Sequence, residues 1–360
     1  MNLNSKTKVN RQIDLFSIKL ALAFSLLLFT KTIKAQEESS FRLMFWNVEN
    51  LFDCKHDTLK HDEEFLPTSM RAWHYGRYKK KLANIARTIT AIGQWTPPAL
   101  VGLCEVENDS VLRDLTRYSP LKKYNYRYVM TNSPDMRGID VALLYQRGHF
   151  KLLSYHSIRI PFSGKHQHPT RDILHVIGLN INNDSLDVFV VHLPSRSGGQ
   201  KASEPNRIRV AETLKAAVDS LFLIRAYPKI IIMGDFNDYP YNKSISKILE
   251  AVAPPKHPEP QHLYNLLADK AKTRNFGSYK YQGEWGLLDQ LIVSGTLLTP
   301  TGNFTTSEAK ANVARLPFLL TKDEKYGGEQ PFRTYNGIRY QGGFSDHLPV
   351  YLDFSFTPSE

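Results

Sequence analysis

The sequence predicts a mixed α/β domain with helices packed outside β-sheets. Three observations predict it. Apolar or alternating segments of strand length recur along the chain, and many of them pair naturally as hairpins. Two long segments among them carry helical periodicity instead. No low-complexity linker, and no repeat at a spacing of roughly 20–50 residues, divides the series into separate domains.

The elements follow in order. FRLMFWNV (41–48) reads as a first strand. Arg71 to Gly93 reads as a helix, with Leu82, Ile85, Ala86, Ile89 and Ile92 three or four apart and Gly93 as its stop. ALVGLCEV (99–106) is a buried strand. YRYVM (126–130) and IDVALLY (139–145) are strands joined by the turn-rich NSPDMRG. KLLSYHSIRI (151–160), DILHVIGLNIN (172–182) and SLDVFVVH (185–192) follow, the last two closed by a turn at Asn183-Asp184. A second long helix is expected from Pro205 to Ala226, with Val210, Leu214, Ala217, Val218 and Leu221 on one face. KIIIMGD (229–235) is again a buried strand, and Tyr239 to Ala253 predicts a short helix closed by APPKHPEP. LLDQLIVS (287–294) and HLPVYLDFSF (347–356) are the last clear strands. Residues 255–286 and 296–345 read as loop-rich insertions around a site.

Composition narrows the class. At 360 residues, 42% hydrophobic and 22% charged, the chain is neither disordered, collagen-like nor a disulfide scaffold. A chain of this length buries roughly three quarters of its unfolded surface, so it needs no metal or disulfide merely to fold. The two cysteines, Cys54 and Cys104, make no framework, and Cys104 inside an apolar run reads as a small core residue. Residues 1–35 have the order of a secretory signal: a lead with Lys6, Lys8, Arg11 and Lys19, an apolar run from Leu20 to Phe29 broken only by Ser25, and the small Ala35 at a cleavage position. The expected product is a domain of residues 36–360, exported to the periplasm or beyond, with an uncleaved membrane anchor as the alternative. Without residues 1–35 the net charge falls from +11 to +6 (40 basic against 34 acidic residues), a mild excess that suits an anionic substrate.

The functional signal lies at the ends of the apolar strands. Asn47 and Glu49, Glu105, His192, Asp235 and Asn237, Asp289, and Asp346 with His347 occupy six such places. Ionisable groups there cost several kcal/mol if buried alone, so a cluster around a cation and an anionic substrate explains them better together than singly. Mg²⁺ takes oxygen ligands and needs only one or two carboxylates, which Glu105 and Asp346 can supply beside the neutral oxygen of Asn47. Glu107 competes with Glu105 for that role. His347 with Asp289 is the natural pair for taking a proton from water. His192 can stabilise phosphoryl oxygens, and Asp235 and Asn237, two apart on an extended segment, can face one side.

FWNVENL, LCEVEN, RGIDVALLY, VVHLPSR, IIMGDFND, LLDQLIVS and FSDHLPVY occur in the order found in the endonuclease/exonuclease/phosphatase superfamily, which the chain resembles over about residues 41–356. That group includes deoxyribonuclease I, exonuclease III, neutral sphingomyelinases and inositol-polyphosphate 5-phosphatases. The resemblance implies a four-layer α/β-sandwich with two central mixed sheets flanked by helices. It also implies Mg²⁺-dependent phosphoester hydrolysis, with Mn²⁺ as a substitute, by in-line attack of water on a phosphodiester. Glu105 matches the main metal-binding glutamate, and Asn47 matches the metal- or phosphate-side asparagine. Asp235 and Asn237 match the Asp-x-Asn pair, Asp346 and His347 the terminal Asp-His, Asp289 the aspartate that orients that histidine, and His192 the mid-chain histidine. No upstream catalytic tyrosine is placed; Tyr155 is the nearest guess.

Arg137 and Arg196 are candidates for substrate phosphate, with a structural ion pair the competing reading for Arg137. Ser195, and Arg171 with His166 and His168, are candidates for the cleft rim. Lys79, Lys80 and Lys81 read as the exposed face of the first helix, and Trp73, Trp95 and Trp285 as packing residues. The implied partner is a nucleic acid acted on by an endonuclease-like monomer with no stable protein partner. A lipid or inositol phosphate substrate, or a silent binding protein, stays open.

Overall fold

Two pairs of parallel strands organise the chain. The computed structural model describes residues 41–161, 169–300 and 302–356. The expected signal segment, His166 and His168 lie outside these described residues. The first half contains β1 (Phe41–Leu51), α1 (Tyr75–Gly93), β2 (Leu100–Val106), α2 (Asp109–Arg117), β3 (Arg127–Met130), β4 (Asp140–Tyr145), β5 (Phe150–Ile158), β6 (Ile173–Asn180) and β7 (Ser185–His192). Then come α3 (Gln200–Ile224), β8 (Ile230–Asp235), β9 (Leu263–Asn265), β10 (Tyr279–Tyr281), β11 (Glu284–Gly286), β12 (Asp289–Ser294), β13 (Phe304–Thr305) and β14 (Ala311–Val313). Two short hairpins precede the last long strand: β15 (Leu320–Lys322) with β16 (Glu329–Pro331), and β17 (Tyr335–Asn336) with β18 (Arg339–Tyr340), then β19 (Val350–Phe356).

One sheet runs β13-β19-β1-β2-β4-β3, with β14 also on β19; the other runs β5-β6-β7-β8-β12-β9. Most neighbours are antiparallel, but β1 and β2 are parallel in one sheet and β7 and β8 in the other. Parallel neighbours need a crossover, and α1 and α3 supply the two. Leu82, Ile85, Ala86 and Ile89 bury α1 in the same core as the first sheet. Val210, Leu214, Val218 and Leu221 pack α3 on Phe189, Ile230 and Ile232 of the second. The inner faces of the sheets meet each other, closely enough that a Cβ on Gly102 would lie 2.8 Å from Met233 Sδ. The layers are therefore helix, sheet, sheet, helix, a four-layer α/β-sandwich.

Several local expectations are corrected. α1 begins at Tyr75, not Arg71, because His74 caps it by accepting from the Gly76 N–H. Lys81 does not join Lys80 on the exposed face; it is buried, and its ammonium donates to Thr334 Oγ1 and the Phe344 carbonyl. α2, which the sequence reading passed over, is a nine-residue helix capped by Asn108. α3 starts at Gln200 and carries Pro205 inside it. The helix expected over 239–253 shrinks to one wide turn at Ser244–Ile248. There the Asn242 and Asp238 side chains bond the Tyr239 N–H and the Ser244 hydroxyl, competing with helix formation. Trp73 packs, with its indole N–H on the Phe52 carbonyl. Trp95 is exposed, and Trp285 is half-buried beneath Arg315. Among the described residues no helix is long and apolar enough to cross a membrane.

Candidate active site

The parallel pairs place the site. β1 and β2 lose register just beyond Asn47, where Glu49 and Asn50 take positive φ, and β2 bulges at Glu105 with φ +61°. A bulge re-aims a side chain, and a left-handed glutamate costs about 1–2 kcal/mol, so the surrounding structure imposes this geometry. On the other sheet the register sets His192 of β7 beside Asp235 of β8, and Asp235 beside Asp289 of β12. The residue after Asp235 but one, Asn237, also has positive φ; its N–H returns to Asp235 Oδ1 at 2.8 Å and its amide donates to the Leu193 carbonyl.

These elements surround a cleft of about 710 Å³. Asn47, Glu105, Arg137, His192, Ser195, Arg196, Asp235, Asn237, Asp346 and His347 all line it, and Asp289 stands behind His347. His347 Nδ1 is 2.7 Å from Asp289 Oδ2. The backbone around His347 is fixed by Ser345, whose hydroxyl donates to the Asn47 carbonyl, and by the Trp46 indole N–H on the His347 carbonyl. Asp235 Oδ2 accepts from the Asn47 amide at 3.1 Å and lies 3.6 Å from His192 Nε2 and 3.8 Å from His347 Nε2. Glu105 accepts from the Asn50 N–H at 2.9 Å and from the Asn47 amide at 3.3 Å.

Electrostatics separates the two histidines. Burial opposes the His347 imidazolium, but the Asp289 and Asp235 carboxylates outweigh it and hold the ring well above its ordinary pKa. Burial pushes His192 well below its ordinary value, and the nearby Arg171 and Arg137 add to that. Burial, with Asp289 adding to it, raises Asp235 to about 7 against the pull of His347.

Arg196 lines the cleft and gives Nε and Nη2 to the Asn237 carbonyl, Asp238 and Asn242 Oδ1, which also braces the 235–242 loop. Two other expectations about individual residues change. Arg171 is buried, bonded to Asp135 and the Leu193 carbonyl, and is not on the rim. Tyr155 lies half-exposed on the edge strand β5, away from the cleft lining. Arg137 is exposed, 3.6 Å from Asp135, and retains a face to the cleft.

The sequence reading missed Arg333, which binds Glu49 and, at 3.0 Å, Asp346. It also missed Tyr239, Tyr279 and Tyr281, which line the cleft. Arg333 and Tyr279–Tyr281 lie in the stretches read as insertions, where no periodicity marks them. Arg333 holds one oxygen of Asp346, which lines the cleft with Glu105 and Asn47, and these three remain the candidate oxygen donors for a hard cation. That set still fits Mg²⁺, which keeps most of its waters. A second candidate group, Asp235, Asp289 and His347, brings one ligand atom from each within 4.8 Å of the others.

A two-sheet sandwich with a His–Asp pair and an acidic bulge at the cleft floor defines a class of hydrolase fold. The model of the Endonuclease/Exonuclease/phosphatase family matches residues 42–355, and the chain belongs to that family. Its members are phosphoester hydrolases, typically metal-dependent. No curated protein sequence matches the chain. Among solved structures, it is similar to an endonuclease/exonuclease/phosphatase family protein of Bacteroides thetaiotaomicron (TM-score 0.56, 14% identity, 89% of this chain and 96% of that one). It is similar to the mannosyl-6-phosphatase of Bacteroides thetaiotaomicron (TM-score 0.56, 15% identity, 88% and 100%). It is also similar to D. rerio TDP2 complexed with single-strand DNA product (TM-score 0.51, 15% identity, 88% and 99%).

Proposed function

We propose that the chain is an exported, Mg²⁺-dependent phosphodiesterase that cleaves nucleic acid. The observation that carries the hydrolytic part is the buried His347–Asp289 pair opening onto the cleft. In this reading His347 Nε2, in its neutral form, takes the proton of the attacking water, and Asp289 steadies the imidazolium that results. Asp235, between the two imidazoles, orients that water, while the neutral His192 and the Asn237 amide contact phosphoryl oxygens. Glu105, with Asn47 and Asp346 assisting, would hold the cation, which would supply neutralisation of charge on the phosphoryl group. Arg333 fixes Asp346 beside them.

The nucleic-acid part rests on the rim. Arg137 is exposed there, and Tyr239, Tyr279 and Tyr281 offer rings on which bases stack. Among the described residues Leu288 is the sole aliphatic side chain in the lining and is buried, which argues against a lipid surface. TDP2 bound to its DNA product supports the reading. The likeness to a mannosyl-6-phosphatase supports a second one, a sugar-phosphate monoesterase, since rings also stack on sugars. A panel of plasmid DNA, RNA, sphingomyelin, inositol phosphates, mannose 6-phosphate and bis-p-nitrophenyl phosphate with Mg²⁺ separates them. DNA or RNA cleavage, lost with chelator and in His347→Ala, is the expected result. Turnover of the sugar phosphate alone supports the second reading, and full activity in His347→Ala sinks both. N-terminal sequencing of exported protein, expected to begin at Gln36, tests the address.

A further inference from the structure

Cys104 lies beneath the cleft floor in a place the hydrolytic reading does not use. It pairs in register with Asn47 of β1 and Val141 of β4. Two residues before it on the same face of β2, Gly102 faces Met233 of the opposite sheet. The Cys104 thiol therefore points between the sheets, toward the ends of β7 and β8. It meets His192 and Asp235 there: one ligand atom from each of the three residues lies within 4.8 Å of the other two, and all three side chains are buried. The His192 ring turns Nε2 toward this point, 3.6 Å from Asp235 Oδ2, while its Nδ1 has no hydrogen-bond partner among the described residues.

We propose that Cys104, His192 and Asp235 form a soft-metal site that captures Zn²⁺ at the cleft floor and withdraws His192 and Asp235 from hydrolysis. Sulfur, imidazole nitrogen and carboxylate oxygen are a zinc donor set, and the cleft leaves a fourth position for water. Tetrahedral bonds of zinc length put such donors roughly 3.5 Å apart, so closing the site takes a contraction on the order of 1 Å. The ion enters from the cleft, which His192 and Asp235 line, and reaches the sulfur last. On binding, the S–H bond breaks, an S–Zn bond forms and the proton leaves to water through the cleft. Only a metal that bonds sulfur strongly displaces the proton of a thiol buried this fully. Mg²⁺, which prefers oxygen, does not, and the two cations are thus assigned to different donors in one cleft.

Capture stands independently of the hydrolase reading; only the inhibition rests on it. The test titrates the intact protein with Co²⁺ as a spectroscopic stand-in and with Zn²⁺ in competition against a chromophoric chelator. The wild-type protein is expected to give a thiolate-to-cobalt charge-transfer band and to bind one equivalent of zinc. Cys104→Ala is expected to lose the band and to weaken zinc by at least the roughly tenfold that even an outer partner's loss costs. Hydrolysis of bis-p-nitrophenyl phosphate in excess Mg²⁺ is expected to fall with micromolar-range zinc in wild type and to resist it in Cys104→Ala. Absence of the band in the wild-type protein overturns the proposal whatever the variant does. A band that persists in Cys104→Ala overturns it as well. A band and one bound zinc in a protein inactive on every phosphoester leave capture standing and remove the hydrolase reading alone.

Discussion

Replacing Asp289 with Asn removes one charge from a buried pair in the site while keeping the side chain's shape. In the native protein the carboxylate lies 2.7 Å from His347 Nδ1, and neither residue has appreciable solvent contact. Two unit charges at that distance attract by about 6 kcal/mol at an effective dielectric near 20, before desolvation takes its share. The second oxygen, Asp289 Oδ1, has no hydrogen-bond partner among the described residues, so the Asp289–His347 bond is its main compensation. The amide still fills the space, but it no longer stabilises the imidazolium formed as water is deprotonated. It can also offer a donor where Nδ1–H needs an acceptor. A positioned base contributes about 10²–10⁴ in rate, and loss of its orienting carboxylate is expected to forfeit most of that. Initial rates on bis-p-nitrophenyl phosphate in saturating Mg²⁺ should show kcat reduced about 10²–10⁴-fold and KM within about threefold, because Asp289 does not line the cleft. Circular dichroism should be unchanged. A variant with kcat within about threefold of wild type refutes the His347–Asp289 mechanism.

Other outcomes follow from the same geometry. Glu105→Gln keeps the bulge but removes the carboxylate offered to the cation, so half-maximal activity should need at least about tenfold more Mg²⁺; an unchanged Mg²⁺ titration refutes the assignment. Gly234→Ala places a Cβ 2.3 Å from the Val191 carbonyl oxygen, and urea melts should show a loss of about 1–3 kcal/mol or more; equal midpoints would mean the parallel strands are not so close. Lys81, pushed down from 10.5 to about 8 by burial against the pull of Glu49, binds fewer protons folded than unfolded between those values. Stability from this group therefore rises with pH across that window, by about 3 kcal/mol at most. Urea melts should show wild type gaining on Lys81→Met between pH 8 and 10, and parallel curves would show that the ammonium is not buried.

The readable parts of the fold were those where one physical requirement dominates. β2, β7, β8 and β12 are nearly continuous apolar runs because both of their faces are covered, and a polar residue at such a run's end stands out. Asn47, Glu105, His192, Asp235 and Asp289 were visible for that reason. Arg333 and Lys81 were not. Their partners, Glu49 and the Thr334–Phe344 segment, are more than 250 residues away from one or the other in sequence, and each side chain alone reads as surface charge. α2 escaped notice because its nine residues bury only Val111, Leu112, Leu115 and Thr116, too few turns to establish a period. Pro205 reads as the start of α3 because proline is favoured in a helix's first turn, whereas it sits past that turn.

His192 and His347 show why residue identity alone does not assign a role. Both are buried, and both have Nε2 under 4 Å from the same Asp235 oxygen. Their charges nevertheless diverge, because their other neighbours differ. His347 turns its Nδ1 to Asp289, whose negative charge favours the imidazolium, while His192 leaves its Nδ1 without a partner and faces the positive field of Arg171 and Arg137. The register of β8 between β7 and β12 imposes this asymmetry, since it places an acidic strand end on one side of Asp235 and a histidine on the other. A proton taken up at His347 is thus stabilised by Asp289, and one at His192 is not. In the hydrolytic reading that difference makes His347 the base and leaves His192 a neutral partner to phosphate oxygens or to a captured metal.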